Sequence, residues 1–210
     1  MRAAIGVVVL LLSVPSVAQS QVIPRAAEQF RRPLIVNVRT VWGLTAPVAV
    51  FAAQVHQESG WRADAQSAYA AGLTQFTAAT AQDIARRFPQ DLGEASPFGG
   101  ADAFNPAWAL RALARYDKSL YDLEPRAATD CDRWALTLSA YNGGRGWVIK
   151  QKAAAAAAGS DPTRWFGHVE RHRVRAAWAH GENTMYPRRI LLQRQPLYLS
   201  WGLGVTCEVT

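Results

Sequence analysis

Helical spacing constrains the fold of this chain more than any other feature of its 210 residues. In the stretch 45–59, Val48, Phe51 and Val55 recur at steps of three and four, which is the spacing of one face of an α-helix. No stretch shows the sustained alternation of apolar and polar residues that a half-buried sheet needs. The length fits one well-packed domain. We therefore predict a single, mainly helical domain.

The next member of this apolar stripe is a carboxylate, Glu58, which Ser59, Gly60 and Trp61 follow. A carboxyl group on a buried face loses hydration of its charged form, so its pKa rises, and a general acid at neutral pH needs a raised pKa. Gly60 suits the left-handed residue that ends a helix. Glu58 is thus a candidate acid at a helix end. The alternative is a helix-end side chain that points into solvent or pairs with an arginine.

The first 18 residues have the pattern of a secretory signal peptide. Arg2 supplies a basic start, residues 4–14 are mainly apolar, and Ser16 and Ala18 are the small residues that a signal peptidase recognises. We predict cleavage after Ala18 and no stable membrane insertion of the mature protein. The alternative is a retained membrane anchor, which the shortness of the apolar run disfavours.

Export changes the interpretation of the two cysteines. In an oxidising compartment, Cys131 and Cys207 are expected to form one disulfide that ties the C-terminal tail to the domain. Two free, buried thiols are the alternative.

The chain is basic, with 23 Lys and Arg against 16 Asp and Glu and a formal net charge of +7. Loss of the signal peptide removes only Arg2 and leaves +6. In an exported protein this balance favours anionic surfaces such as cell-wall polymer or lipid headgroups, and the exported location argues against nucleic acid. We expect a monomer that is periplasmic or secreted and associated with the cell wall.

Helix-breaking residues and helix caps divide the mature chain into predicted segments. Residues 19–44 are predicted to be an irregular lead-in, with at most a short extended piece at 34–38, and residues 45–210 the folded domain. The C-terminal residues 197–201 form either a minor strand or a packed tail. We predict helices that begin after Thr77, after Asn105 and after Asp130, a loop over 91–104, a helix end at 153–158 and another helix over 161–179.

Three short motifs stand in order in this domain: ESGW at 58–61, a serine at 67 with GLTQ at 72–75, and AYNGG at 140–144. Together they resemble the soluble lytic transglycosylases, which cleave peptidoglycan and have a lysozyme-like fold. That family has an ES pair, a downstream serine, a GLMQ segment and an AYN segment, separated much as here. The resemblance covers about residues 45–186, and stretches 104–121 and 165–170 are similar to the phage and prophage branch.

The resemblance implies a lysozyme-like helical domain with a catalytic cleft, no cofactor, and peptidoglycan glycan strands as the substrate. It makes Glu58 the catalytic acid and base. The substrate-binding residues would be Ser67, Gln75, Tyr141 and Asn142, with Ser59, Gly72 and Leu73 in support. Two departures are Thr74, where the family has Met, and Ala70-Ala71, where the family has a small-residue run with a glycine.

The reaction itself sets a further requirement, because cleavage of a glycosidic bond needs a proton on the leaving oxygen and capture of an oxocarbenium-like centre. A hydrolytic muramidase would use Glu58 with a second carboxylate, for which Asp64, Asp83 and Asp102 are the candidates, although each is more typical of a solvated surface acid. The family's route needs no such partner, because Glu58 acts first as acid and then as base and the product ends in a 1,6-anhydro ring. A non-catalytic wall-binding protein is the third hypothesis.

A metal site is not expected. His168 and His172 have the spacing of two ligands on one helix, but no acidic third ligand is evident and Arg171 and Arg173 disfavour a cation.

Overall fold

A computed structural model describes residues 22–92 and 101–208 of the protein. In chain order the elements are α1 (Glu28–Trp42), α2 (Val48–Ser59), β1 (Ala70–Ala71), β2 (Phe76–Thr77), α3 (Ala78–Arg87), α4 (Pro89–Leu92), α5 (Pro106–Tyr121), α6 (Asp130–Gly143), α7 (Arg145–Ala157) and α8 (Ala177–Arg188). Short 3-10 turns occupy Arg25–Ala27, Val169–Arg171 and Gln195–Tyr198, and a π-helical segment occupies Arg189–Arg194. The prediction of a mainly helical domain is confirmed. The predicted signal peptide and positions 93–100 of the predicted loop lie outside the described residues.

Helix α2 lies at the centre of the fold because nearly its whole surface is apolar. Its residues from Val48 to His56 are all buried, as expected of a helix that is hydrophobic on every side. It packs against α1 and against the C-terminal segments 189–194 and 195–198. The backbone N–H of Ala49 donates to the carbonyl of Leu203 at 2.9 Å, so the C-terminal tail covers the start of α2.

The predicted irregular lead-in at 19–44 is wrong, because Glu28–Trp42 is a helix and residues 34–38 are helical rather than extended. Its fully buried residues, Leu34 and Val38, are four residues apart, which is a helical spacing that the prediction missed. Packing against α5 stabilises the helix, and the Trp42 indole N–H donates to the Ala114 carbonyl at 2.9 Å. Tertiary contacts override weak local propensity here.

Side-chain caps set the beginnings of α3, α5 and α6. Thr77 accepts a hydrogen bond from the Thr80 backbone N–H at 3.1 Å, and Asn105 caps α5 ahead of Pro106, both as predicted. The predicted cap of α6 at Asp130 is wrong by one residue. Thr129 accepts from the backbone N–H of Asp132 at 3.0 Å, and Asp130 is the first helical residue.

The predicted helix over 161–179 is also wrong, because this stretch consists of turns and one 3-10 turn until α8 begins at Ala177. The Asp161 carboxylate accepts from the backbone N–H and the hydroxyl of Thr163 at 2.8 and 2.6 Å, which closes a local turn. Gly167 has φ +73° and interrupts any helix there. The Trp165 backbone N–H donates to the Asp132 carboxylate on α6 at 2.8 Å.

The C-terminal residues form a packed tail, the second of the two predicted alternatives. Tyr198 and Trp201 are buried, and a disulfide joins Cys131 to Cys207 with 5.2 Å between the Cα atoms, which confirms the predicted pairing. In the part of the chain that the structure describes, no helix combines the length and the apolar composition required to cross a membrane.

Candidate active site

The turn after α2 fixes the direction in which Glu58 is presented. Gly60 ends the helix with φ +60°, and Trp61 follows with φ +67°, a left-handed conformation that is uncommon for a bulky residue. The Trp61 side chain is fully buried and its indole N–H donates to the Tyr198 hydroxyl at 2.7 Å. The Ser59 hydroxyl donates to the Val55 carbonyl at 3.3 Å and closes the last turn of α2. Glu58 therefore stands on an anchored helix end.

A stacked pair of tyrosines from two other helices lies beside the Glu58 side chain, which is partly exposed. The Tyr186 hydroxyl on α8 donates a hydrogen bond to Glu58 Oε1. Tyr141 on α6 stacks parallel to Tyr186, with ring centroids 6.4 Å apart, and its own hydroxyl donates to the Thr74 carbonyl at 2.7 Å. Burial raises the pKa of both tyrosines well above the usual value, so both remain neutral donors.

The pKa of Glu58 is raised to about 8. Burial of the carboxyl group is the largest cause, the hydrogen bond from Tyr186 opposes it, and the negative charge of Glu182 adds a smaller increase. With this pKa, the protonated form of Glu58 predominates at pH 7. Glu58 can therefore donate a proton at neutral pH.

A cavity of about 350 Å³ opens beside Glu58. His56, Arg62 and Arg194 line it together with the residues around the helix end. Burial, followed by the charge of Arg194, lowers the pKa of His56 to about 4. The imidazole is therefore neutral at pH 7, and the Tyr198 hydroxyl lies 2.9 Å from its Nδ1. His56 thus adds no positive charge that would lower the pKa of Glu58.

The short hairpin of β1 and β2 carries the second motif. Gly72 has φ +72°, and a Cβ there would lie 1.7 Å from the Ala103 carbonyl oxygen, so only glycine fits. Leu73 is buried in the core. Gly72 thus allows the hairpin to approach the segment that precedes α5. Thr74, which departs from the family's methionine, is fully buried and supplies the carbonyl that Tyr141 binds.

Ser67 and Gln75, two of the predicted substrate-binding residues, use polar groups to hold the same hairpin. Ser67 Oγ accepts from the backbone N–H groups of Tyr69 and Ala70 at 3.2 and 3.0 Å. Gln75 has φ +48° and donates from Nε2 to the Gly72 carbonyl at 2.9 Å. Ser67 also lines a second cavity of about 420 Å³, whose walls include Tyr69 and which does not reach Glu58.

Asn142, the fourth predicted binding residue, is tied to α8. Its Oδ1 accepts from Asn183 Nδ2 at 3.1 Å, and the Asn183 amide also bonds the hydroxyl and the carbonyl of Ser139 at 2.7 and 2.8 Å. The structure therefore places Tyr141 next to Glu58 through Tyr186, and places Asn142 in the adjoining contact between α6 and α8.

The three acids considered as partners of Glu58 have other environments. Asp64 is exposed, and Asp83 lies near Arg86 and Arg87 at 3.6 and 3.5 Å on its own helix. Asp102 accepts from the backbone N–H groups of Phe104 and Asn105 at 3.1 and 3.2 Å. None of the three influences the pKa of Glu58, which favours the surface roles expected of them.

Sequence reasoning missed three residues of this region. They are Tyr186, which bonds Glu58, Glu182, whose charge raises its pKa, and Asp117, which is fully buried near it. Asn183 and Tyr186, three residues apart and both buried, form a short inward face on α8. This helical spacing is the sequence signal that could have predicted that Tyr186 points inward.

Within residues 22–92 and 101–208, no group of three or more His, Cys, Asp or Glu side chains is placed to hold a metal ion. His168 and His172 do not share a helix, because the 3-10 turn lies between them. The His168 Nδ1 instead accepts from the Asp161 backbone N–H at 3.2 Å, and His172 lies 2.9 Å from the Ser160 hydroxyl.

Comparison with known proteins agrees with this arrangement. Residues 42–163, more than half of the chain, match the family model of the transglycosylase SLT domain. The chain is 32% identical over 117 residues to membrane-bound lytic murein transglycosylase F of Maricaulis maris, an alignment that covers 55% of this chain and 23% of that protein. It is 28% identical over 120 residues to membrane-bound lytic murein transglycosylase F 2 of Alkalilimnicola ehrlichii, covering 57% of this chain and 24% of that protein.

The chain thus spans about a quarter of the length of these curated relatives. The matched region contains α2 with Glu58, the hairpin and α6 with Tyr141, whereas Tyr186 on α8 lies beyond it. The mainly helical architecture is that expected of the family's lysozyme-like fold. This protein belongs to the transglycosylase SLT domain family.

Proposed function

We propose that this protein is a peptidoglycan lytic transglycosylase that cleaves the MurNAc-GlcNAc β-1,4 bond and leaves 1,6-anhydro-MurNAc ends. One observation carries the proposal: the Glu58 carboxyl group stands at an anchored helix end, accepts a hydrogen bond from Tyr186 and has a pKa that burial raises. Among the described residues, the two other carboxyl groups that interact electrostatically with Glu58 are Glu182 and Asp117. Glu182 is exposed and Asp117 is sealed from solvent, so neither has the setting of Glu58.

The first step needs a proton on the oxygen that leaves the muramyl C1 atom. Glu58 supplies it, the C1–O bond breaks, and the substrate's N-acetyl group helps to carry the positive charge that develops at C1. Glu58 is left as a carboxylate, and the hydrogen bond from the neutral Tyr186 hydroxyl stabilises this charge.

The second step uses the same side chain as a base. The muramyl C6 hydroxyl attacks C1, and the Glu58 carboxylate takes its proton. The anhydro ring closes, Glu58 regains its starting form, and no water is consumed. Of the proposed binding residues, Gln75 lies in the hairpin, Ser67 lies just before it, and Tyr141 and Asn142 lie on α6.

Mass spectrometry of the muropeptides released from purified peptidoglycan tests the reaction. We expect anhydro-muramic ends from the native protein and no release by Glu58→Gln. Reducing muramic ends without anhydro ends would replace this proposal with a hydrolytic muramidase. Glu182→Gln is the matched control, and it should still yield anhydro ends. Retained wall clearing by Glu58→Gln would favour the non-catalytic binding protein.

We further propose that the mature protein acts outside the cytoplasm, as a wall-associated monomer without membrane insertion. The support is the signal-like sequence at 1–18 and the disulfide between Cys131 and Cys207. Thiol labelling of the protein isolated from its native host is the test. Labelling should require a reductant, and free labelling of the native protein would contradict an oxidising location. The similarity to the phage branch remains a prediction.

A further inference from the structure

The residue that the proposed reaction leaves unused is a carboxyl group in the core. Asp117 lies in the last third of α5 and is 0% exposed, as is Gln54 on α2. Gln54 lies four residues before Glu58, so the two share one face of α2 and are one turn apart. Asp117 therefore contacts the catalytic helix directly behind its acid.

The hydrogen bonding between these two side chains is incomplete. Gln54 Nε2 donates to Asp117 Oδ1 at 3.5 Å, a long contact. Gln54 Oε1 and Asp117 Oδ2 are both buried and have no hydrogen-bond partner. Each is an acceptor when the carboxyl group is ionised, so an ionised Asp117 would leave two acceptors unsatisfied in the core.

We infer that Asp117 carries a proton in the folded protein and that this proton closes a second hydrogen bond, from Asp117 Oδ2 to Gln54 Oε1. One hydrogen atom then satisfies both orphaned oxygens. The result is a neutral, two-bond pair between a carboxylic acid and an amide, which joins α5 to α2 one turn before Glu58. Unsatisfied buried acceptors are rare in folded proteins, and this pair removes two.

The charges around Asp117 agree with this assignment. No described residue forms an ion pair with it within 4.0 Å, and the titratable groups that face it or interact with it are all acids: Glu58 on α2, Tyr116 on its own helix, Tyr141 on α6 and Tyr186 on α8. Burial raises the pKa of Asp117 well above its usual range, the hydrogen bond from Gln54 opposes this, and the negative charge of Glu58 adds to it. An ionised carboxylate here would lack any cation.

This places Asp117 as a positioning residue. The neutral pair fixes the helix that presents Glu58 without adding a second negative charge behind it. When Glu58 becomes a carboxylate between the two steps, it faces a neutral group rather than another anion. The positioning role rests on the proposed function, whereas the proton on Asp117 does not.

The proton is tested by unfolding in urea between pH 4 and pH 7, in a Glu58→Gln background that removes the other titrating acid. Asp117→Asn keeps both hydrogen bonds and cannot ionise. If Asp117 is protonated only in the folded state, its stability contribution is lost as pH rises above the unfolded pKa of about 3.9, by about tenfold in the folding constant per pH unit. The folding constant of the double variant should therefore rise relative to that of Glu58→Gln by about tenfold per pH unit. Stability curves that run parallel with pH would show that Asp117 is not protonated in the folded protein.

Infrared spectroscopy gives a second readout that needs no comparison of stabilities. The Glu58→Gln protein at pH 7 should show the C=O band of a protonated carboxyl group, and Asp117→Asn should remove it. If the double variant does not fold, the Glu58→Gln spectrum decides alone, and absence of the band overturns the inference.

Turnover tests the positioning role, with Glu58 restored. Asp117→Leu has the same branching as Asp but a larger side chain that makes no hydrogen bonds, so kcat should fall at least about tenfold with little change in KM, while Asp117→Asn should recover most of it. Equal kcat values for Leu and Asn at position 117 would overturn the positioning role. Absence of turnover in the native protein would reject the proposed function. The unfolding and infrared measurements would still show whether Asp117 carries a proton in the folded protein.

Discussion

The two ends of α6 show how one helix serves the reaction at one end and the fold at the other. At the C-terminal end, Tyr141 stacks on Tyr186, which bonds Glu58. At the N-terminal end, Cys131 is joined to Cys207, and Asp132 accepts from the backbone N–H of Trp165 at 2.8 Å. One end faces a titrating acid, and the other is crosslinked to the chain terminus.

The contrast between the two ends of α6 indicates which residues contribute mainly to activity and which contribute mainly to stability. The C-terminal end serves a carboxyl group whose pKa is raised by burial, which is an unfavourable setting for its charge. At the N-terminal end the polar groups are satisfied by caps and backbone hydrogen bonds. Changes beside Glu58 should therefore alter activity more than stability, and changes near the disulfide should do the reverse.

Glu58→Gln should give the largest effect, a loss of at least about 10³-fold in the release of muropeptides, because one group serves both proton transfers. Stability should not fall. The raised pKa of about 8 means that ionisation of Glu58 lowers native stability as pH rises from its unfolded pKa towards 8. Gln lacks this loss, so the variant should be more stable than the native protein at pH 7 and not at pH 4, as urea unfolding would show.

Asp64→Asn, at an exposed acid six residues further on, is the control for this change and should leave release unaltered. A Glu58→Gln protein that unfolds more readily at pH 7 would break the comparison.

Replacement of both Cys131 and Cys207 by Ser should lower the free energy of unfolding by about 2 to 4 kcal/mol, because the disulfide closes a loop between residues 76 apart. The activity of the folded fraction should be unchanged. Unfolding with and without reductant measures the first, and muropeptide release well below the melting temperature measures the second. Loss of activity in folded protein would show that the two ends are coupled.

Tyr186→Phe should reduce turnover by about tenfold, because a hydrogen bond to a charged group contributes about 1.5 to 3 kcal/mol. The Tyr186 hydroxyl lowers the pKa of Glu58, so its removal should raise that pKa. In the native protein kcat/KM should fall above a pH of about 8, where Glu58 loses its proton, and in the variant this limb should move to higher pH.

Tyr116→Phe is the matched control, because Tyr116 also packs against Tyr141 but its hydroxyl does not bond Glu58. An alkaline limb that moves to lower pH in Tyr186→Phe would contradict the assigned hydrogen bond.

Thr129→Ala should give the smallest effect, a loss of about 1 kcal/mol in stability, because it removes the N-cap of α6. Activity should be unaffected. Thr77→Ala, which removes the cap of α3, is the matched loss of a cap in another helix. Thermal unfolding of both variants, with muropeptide release as the second measurement, would show whether loss of a cap lowers stability and leaves activity unchanged.

The sequence predicted those parts of the fold whose signals are local. The stripe at Val48, Phe51 and Val55, the end at Gly60 and the cap at Asn105 are each determined by a few neighbouring residues, and the structure has all of them. The pairing of Cys131 with Cys207 was predicted from the presence of two cysteines and from the expected export. The raised pKa of Glu58 followed from its place on an apolar face.

The missed parts depend on residues far apart in the chain. Helix α1 needs α5 as a packing partner, since only Leu34 and Val38 are fully buried. The stretch 161–179 looked helical after Asp161-Pro162, but the Asp161 carboxylate and the link from Trp165 to Asp132 favour turns. Tyr186 lies 128 residues after Glu58, so no local pattern could pair them.

Gly72 has a consequence for how the larger cavity keeps its width. Since only a hydrogen atom fits between this residue and the Ala103 carbonyl, the hairpin cannot move towards α5 without a steric clash. The distance between two opposite walls of the cavity is therefore determined by backbone contact. Substitutions at Tyr69 or Phe104, whose side chains line the cavity, would change its chemistry while its span stays the same. Widening this cavity between the hairpin and α5 would therefore require a change of the backbone, because shorter side chains would leave the backbone contact in place.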